Sequence, residues 1–294
     1  MTRSFYLPLA AIIVAALASN SRADEAKPAD PAAPVAAQKP APPIFSDKNL
    51  EAVIREITRK KTDKEEIKEE DLKTINFLNG NGKKISNLAG LEKCINLADI
   101  KLVDNAISDL SPLAGLKNVQ LLDLSKNKIV DVAPLAKLEK LQYLNLESNE
   151  IEKLDGLKDL KKLTALYLSK NKIVSLEPLS GLEKLWSLYL ADNQVKDVAP
   201  VAKLKWLERL NLEHNAVADL SPLAGLTELR HTMLQHNQVT DLAVLVEMAH
   251  TDVAGDKRFA PYWHLYLAGN PLSDAAKGAQ LAELQKLGVR VKME

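Results

Sequence analysis

Imidazole has the widest chemical range of any side chain near neutral pH, and four of the chain's five histidines come in spaced pairs. His214 and His236 are 22 residues apart, and His231 and His264 are 33 apart. An imidazole can take up a proton near pH 6.5 or ligate a divalent cation, and two of them in register could bridge one metal ion. Two ligands without a paired carboxylate or thiolate make a weak site, so the expectation is solvated or partner-contacting rings and no bound metal. The acidic runs Glu65-Glu66 and Glu69-Glu70-Asp71 read as solvated helix faces. There is no Gly-rich phosphate loop, no Gly-x-Ser-x-Gly elbow and no His-Glu-x-x-His motif. The sequence therefore points away from an enzyme and calls for no cofactor. A hydrolase using His231 or His264 is the weakest of the alternatives.

A second set of residues points to binding. Tyr, Trp and Arg dominate interaction hot spots because they bury much area at small entropic cost. Tyr143, Tyr167, Tyr189 and Tyr266 recur at related positions, with Trp186, Arg209, His231 and Met233 among them. The preferred anchor patch is Tyr143, Tyr167, Tyr189, Trp186 and Arg209. Trp263 shares the position of Trp186, and Trp206 is expected to pack at a loop edge. The competing explanation is that a strand surface simply tolerates aromatics.

What must position these residues is a repeat. Hydrophobic residues make up 46% of the chain but aromatics only 4%, so the core has to be aliphatic and regular. A unit of 22 residues starts at Leu97 and recurs at 119, 141, 163, 185, 207 and 229 without insertion or deletion. One unit carries Val119, Leu122, Leu124, Asn127, Ile129, Val132, Leu135 and Leu138. Leu122 and Leu124 alternate like the inward side of a strand, while Val132, Leu135 and Leu138 recur every third residue, as in a 3₁₀ segment. Burying seven aliphatics at roughly 1.5–3 kcal/mol each cannot order 22 backbones at roughly 1–2 kcal/mol each. A single unit is therefore unstable, and stacked neighbours must close the core.

Asn105, Asn127, Asn149, Asn171, Asn193, Asn215, Asn237 and Asn270 occupy one slot, where an amide can turn inward and satisfy backbone groups as a structural ladder. Pro112, Pro134, Pro178, Pro200 and Pro222 mark the start of the outer turn. Side chains beside the strand leucines form two outward columns. The first runs Phe77, Asp99, Leu121, Tyr143, Ala165, Ser187, Arg209, His231 and His264. The second runs Asn79, Lys101, Asp123, Asn145, Tyr167, Tyr189, Asn211, Met233 and Tyr266.

The string Asn-x-Ile-x-Asp-Leu-x-Pro-Leu, read at Asn105 to Leu113 and, with Val217 for isoleucine, at Asn215 to Leu223, resembles the 22-residue leucine-rich repeats of bacterial internalins and of the nuclear regulatory subunit of protein phosphatase 1. The likeness covers residues 46 to 294. It implies an α/β solenoid, curved and right-handed, with a parallel β-sheet on the concave face, a helical N-terminal cap and a helix-strand C-terminal cap. It also implies recognition of a protein partner on that concave face. A glycan or cell-envelope polymer stacked on the tyrosines, beside Asp123, Glu147 and Glu213, is the alternative.

The organisation follows. Residues 1–23, with Arg3, an apolar stretch from Phe5 to Ala18 and small residues at Ala16, Ala18, Ser21 and Ala23, read as an export signal too short to span a bilayer. Without them the chain has 37 basic and 39 acidic residues, a formal charge of −2, which gives nucleic acid no electrostatic foothold. A secreted or periplasmic location follows, without stable membrane insertion. Residues 24–45 form an Ala/Pro-rich linker. Residues 46–74 form the helical cap, with Ser46 or Asp47 as helix cap and Leu50, Val53, Ile54 and Ile57 at helical spacing. Residues 75–272 carry the repeats, whose register slips by eleven residues at an insertion, 251–261, that reads as a loop. Residues 273–294 close the end. Cys94, the only cysteine, fills a core slot and reads as an inert thiol.

Overall fold

The structure, a computed structural model, describes residues 43–62 and 64–294. The signal and most of the linker assigned above lie outside the described residues.

Ten three-residue strands form one parallel sheet in strict sequence order. They are β1 (Phe77–Asn79), β2 (Asp99–Lys101), β3 (Leu121–Asp123), β4 (Tyr143–Asn145), β5 (Ala165–Tyr167), β6 (Ser187–Tyr189), β7 (Arg209–Asn211), β8 (His231–Met233), β9 (His264–Tyr266) and β10 (Arg290–Lys292). Each strand pairs residue for residue with the next, so a sequence offset of one repeat becomes a lateral step of one strand. The middle residue of each strand points inward and its two neighbours outward, following the two-residue pleat. Leu122, Leu144, Leu166, Leu188 and Leu210 thus line the core, continued by Leu124, Leu146, Leu168, Leu190 and Leu212 just past the strands.

Opposite the sheet, short 3₁₀ turns replace long helices. Turns such as Ser111–Leu113, Ala133–Lys137 and Ser221–Leu223 carry proline in the first turn, where its missing N–H has no bond to lose. Every third residue then faces the core, as Val132, Leu135 and Leu138 do. Before each ladder asparagine the backbone turns through the left-handed region, at Asp104, Lys126, Ser148, Lys170, Asp192, His214 and His236. Glycine takes this slot at both ends, as Gly82 and Gly269. A β-branched residue would be strained here, and none occupies the slot.

Helix α1 (Lys48–Ile57) covers the first unit with Leu50, Val53 and Ile54. Asp47 ties this cap to the first repeat. One carboxylate oxygen accepts from the N–H groups of Asn49 and Leu50, and the other accepts from the Ser86 and Asn87 N–H groups and the Ser86 hydroxyl. At the other end the helix Leu281–Lys286 lies against β10 with Leu284 buried, and Ala276–Gln280, with Ala276 buried, leads into it.

The inserted segment is a loop only from 255 to 259. Helix α2 (Ala243–Ala254) occupies the outer side of the eighth repeat and runs into the insertion. With eleven extra residues the repeat has room for the helix that 22 residues exclude. The following turn is pinned by Asp252, buried, whose carboxylate accepts from the N–H groups of Arg258, Phe259 and Ala260. Arg258 also pairs with Glu228.

Candidate functional site

The asparagine ladder runs the length of the stack. At Asn171, Oδ1 accepts from the Ile151 N–H at 3.0 Å, while Nδ2 donates to the carbonyls of Leu146 and Leu168, each at 3.0 Å. The same pattern holds from Asn105, which accepts from Ile85 and donates to Gly80, to Asn270, which accepts from Val239 and donates to Leu234. Only a short primary amide carries donor and acceptor at this reach, which assigns these residues to the scaffold.

The scaffold brings the tyrosines together. Tyr143, in the first outward column, lies diagonally from Tyr167 in the second, and the ring centroids are 5.3 Å apart. Tyr167 faces Tyr189 directly across β5 and β6, with centroids 4.9 Å apart and planes 20° from parallel. The three rings are half-buried, by one another and not by the core. Partial burial, aided by Asp123, raises the Tyr143 phenol above its ordinary value. Partial burial and Tyr189 do the same for Tyr167. Both therefore present neutral hydroxyls, able to donate and accept, at one end of an apolar face.

Arg209 stands exposed on β7 beside this stack, and Met233 is half-buried on β8. His231 and His264 stack at 4.9 Å, with Arg290 Nη1 3.3 Å from His264 Nε2. Burial lowers the pKa of His231, and His264 and Arg209 lower it further. Tyr266 lies apart from the three stacked tyrosines, with Lys292 Nζ 5.3 Å from its ring centre.

His214 and His236 stack at 4.3 Å with planes 5° apart. The lone pairs of an imidazole lie in its ring plane, so a face-to-face pair does not aim both at one ion. His214 instead turns Nδ1 toward Asp192, 3.3 Å away. Neither His231 nor His264 is hydrogen-bonded to a carboxylate among the described residues.

Two aromatic assignments change. Trp263 is wholly buried, donating its indole N–H to Thr232 Oγ1 at 2.8 Å and meeting Phe259 edge-on. Tyr262, which the repeat places inward, is exposed instead, with Arg230 above its ring. The swap follows from Thr232, which stands where β1 to β7 and β9 place leucine or isoleucine and leaves both space and an acceptor for the indole. Trp206 does not pack at a loop edge. It is 65% exposed and, with Trp186 at 54%, lines a groove of about 360 Å³ shared with Thr164, Glu208, Glu228 and Arg230. Sequence reasoning missed this pairing because the two residues lie 20 apart, two short of the repeat, and so never share a column.

Cys94 is buried in the first repeat, and desolvation, with Glu92 nearby, pushes its thiol up to about 12. At pH 8 about one molecule in 10⁴ would carry a thiolate. Iodoacetamide is accordingly expected to leave Cys94 unmodified in the native chain over hours and to alkylate it within minutes in urea. Mass spectrometry would check this, and rapid native labelling would show that the first repeat opens readily.

Sheet, ladder and left-handed turn together define the class of fold, a leucine-rich-repeat solenoid. Models of the leucine-rich repeat match residues 117–159 and 183–225 as two-copy repeats and residues 153–195 as a further repeat. The solved structures that it resembles include internalins of Listeria monocytogenes. An internalin InlF is 26% identical, with a TM-score of 0.66 over 85% of this chain and 76% of that one. An internalin C2 is 27% identical, with a TM-score of 0.65 over 85% and 95%. A leucine-rich-repeat protein of Leptospira interrogans shares the fold at 20% identity, with a TM-score of 0.59 over 76% and 62%. No curated protein matches the sequence. No helix among the described residues is long and apolar enough to cross a membrane.

Proposed function

We propose that this chain is an exported, non-catalytic binding module that recognises a protein partner through the outward face of its sheet. The leucine-rich-repeat fold supports protein binding in general. The observation that carries the finer reading is the continuous stack of Tyr143, Tyr167 and Tyr189 on consecutive strands, in columns that the core does not use. Rings preordered in this way lose little entropy when a partner covers them, and aromatics of this kind anchor protein interfaces. The apolar stretch after Arg3 supports export.

The test compares the full chain with Tyr167→Ala/Tyr189→Ala, each immobilised and exposed to envelope and extracellular protein fractions. The expected result is a defined protein whose affinity for the double variant falls at least about tenfold, since two hot-spot rings are worth ~2 kcal/mol or more. Circular dichroism should not change, because the rings are outside the core. Retention that ignores the substitutions would move the interface off this face.

Carbohydrate binding is a second reading, favoured by the groove between Trp186 and Trp206, where indole faces stand beside carboxylates that could accept hydroxyl hydrogen bonds. A polysaccharide retained by the chain and lost with Trp206→Ala would support that reading.

A further inference from the structure

The sheet face is electrically polarised along the stack. On β1 to β3 the outward columns hold Asp99 and Asp123 with one cation, Lys101. On β7 to β10 the first column holds Arg209, His231, His264 and Arg290 on four successive strands, and the second holds Asn211, Met233, Tyr266 and Lys292. None of these eight outward positions carries a carboxylate. Arg209 and Arg290 are exposed; of the acids beside these columns, Glu208 faces Arg230 at 3.9 Å and Glu213, just past β7, lies 3.8 Å from His214. The tyrosine stack lies immediately before this basic run, on β4 to β6.

We infer that β7 to β10 form a carboxylate-binding subsite that receives the acidic end of an extended peptide segment, whose apolar end lies on the tyrosine stack. The inference deepens the protein-binding reading and rests on it for the nature of the partner. Charge complementarity selects the occupant, because among the described residues Arg209, Arg290 and Lys292 form no ion pair, and two guanidiniums and an ammonium so placed favour an anion. Reach sets its size. From β4 to β10 there are six strand spacings, ~29 Å in all at ~4.8 Å each, which about nine residues of extended chain can cross. The histidines between the two arginines add charge when protonated. The groups facing His231 are His264, Arg209 and Arg230, which oppose protonation, and Glu208, which favours it. An anion over the column favours protonation of His231, so binding tightens as pH falls.

The test uses the full chain and a fluorescent nonapeptide with leucine or tyrosine at its first three positions and glutamate at its last four, beside its glutamine counterpart. The expected result is that the glutamate peptide binds at least about tenfold more tightly than the glutamine one, with an advantage that shrinks in high salt and grows between pH 7.5 and 5.5. In Arg209→Gln/Arg290→Gln, whose substituted side chains are exposed, the two peptides should bind alike while the thermal midpoint stays unchanged. Equal binding of the two peptides to the wild-type chain, or a preference that survives in the arginine variant, would overturn the inference. So would tighter binding of a sulfated polysaccharide than of the glutamate peptide. If the peptides fail while protein capture remains tyrosine-dependent, the subsite falls and the protein-binding reading stands. If capture ignores the tyrosines while the glutamate preference holds, the subsite stands and the wider reading falls.

Discussion

Asn171→Ala is expected to destabilise the chain by about 3–5 kcal/mol, read as a large drop in the urea midpoint. The substitution removes one acceptor and two strong donations at once. It leaves the Ile151 N–H, which is buried, without its partner, and deprives the carbonyls of Leu146 and Leu168 of theirs. Each stranded buried group costs about 1–3 kcal/mol, and alanine supplies nothing to replace the amide. Because each repeat is held only by its neighbours, a break in the middle of the stack weakens the coupling between its two halves. A second, shallower unfolding transition should therefore accompany the lower midpoint. The same change at Asn105, nearer the end and less buried, should cost less. A loss below ~1 kcal/mol at Asn171 would mean that the freed backbone groups find water, and would remove the ladder from the account of stability.

Trp263→Ala is expected to cost a similar ~3–5 kcal/mol, as large-to-small changes at fully buried aromatics do. The indole fills the volume that Thr232 leaves unoccupied in β8 and packs edge-on against Phe259, which in turn closes the Asp252 turn. Thr232→Val separates the two contributions. It keeps the shape but strands the indole N–H, and should cost about 1–3 kcal/mol. If the effects are coupled, Trp263→Leu with Thr232→Leu, which restores the aliphatic pattern of the other repeats, should recover part of the loss. Equilibrium denaturation followed by circular dichroism would measure all of them. Near-native stability in Trp263→Ala would show that the indole is dispensable and that the capping helix alone holds this end.

Much of the candidate site could be read before any coordinates. A period of 22 without insertion leaves one register for neighbouring strands, so Tyr167 had to oppose Tyr189, and His231 had to oppose His264 once the eleven extra residues were recognised. The direction of each side chain followed from the two-residue pleat, and the inward turn of the asparagines from the need to satisfy backbone groups where the strand ends. These are local rules repeated along one dimension, and a solenoid involves few contacts that such rules do not govern.

What only the tertiary structure decided lies where the repetition fails. Periodicity put Tyr262 inside and Trp263 outside, but the space and acceptor at Thr232 reversed them, and that choice depends on a residue 31 positions away. The insertion read wholly as a loop because no flanking signal marked the helix that enters it, yet the longer outer arc made room for α2, and Asp252 fastened the turn behind it. Trp206 sits out of phase with every column, so its approach to Trp186 arises from the path of the chain between strands. In each case the deciding quantity is volume or hydrogen-bond satisfaction contributed by another turn of the stack, which a pattern within one unit does not contain.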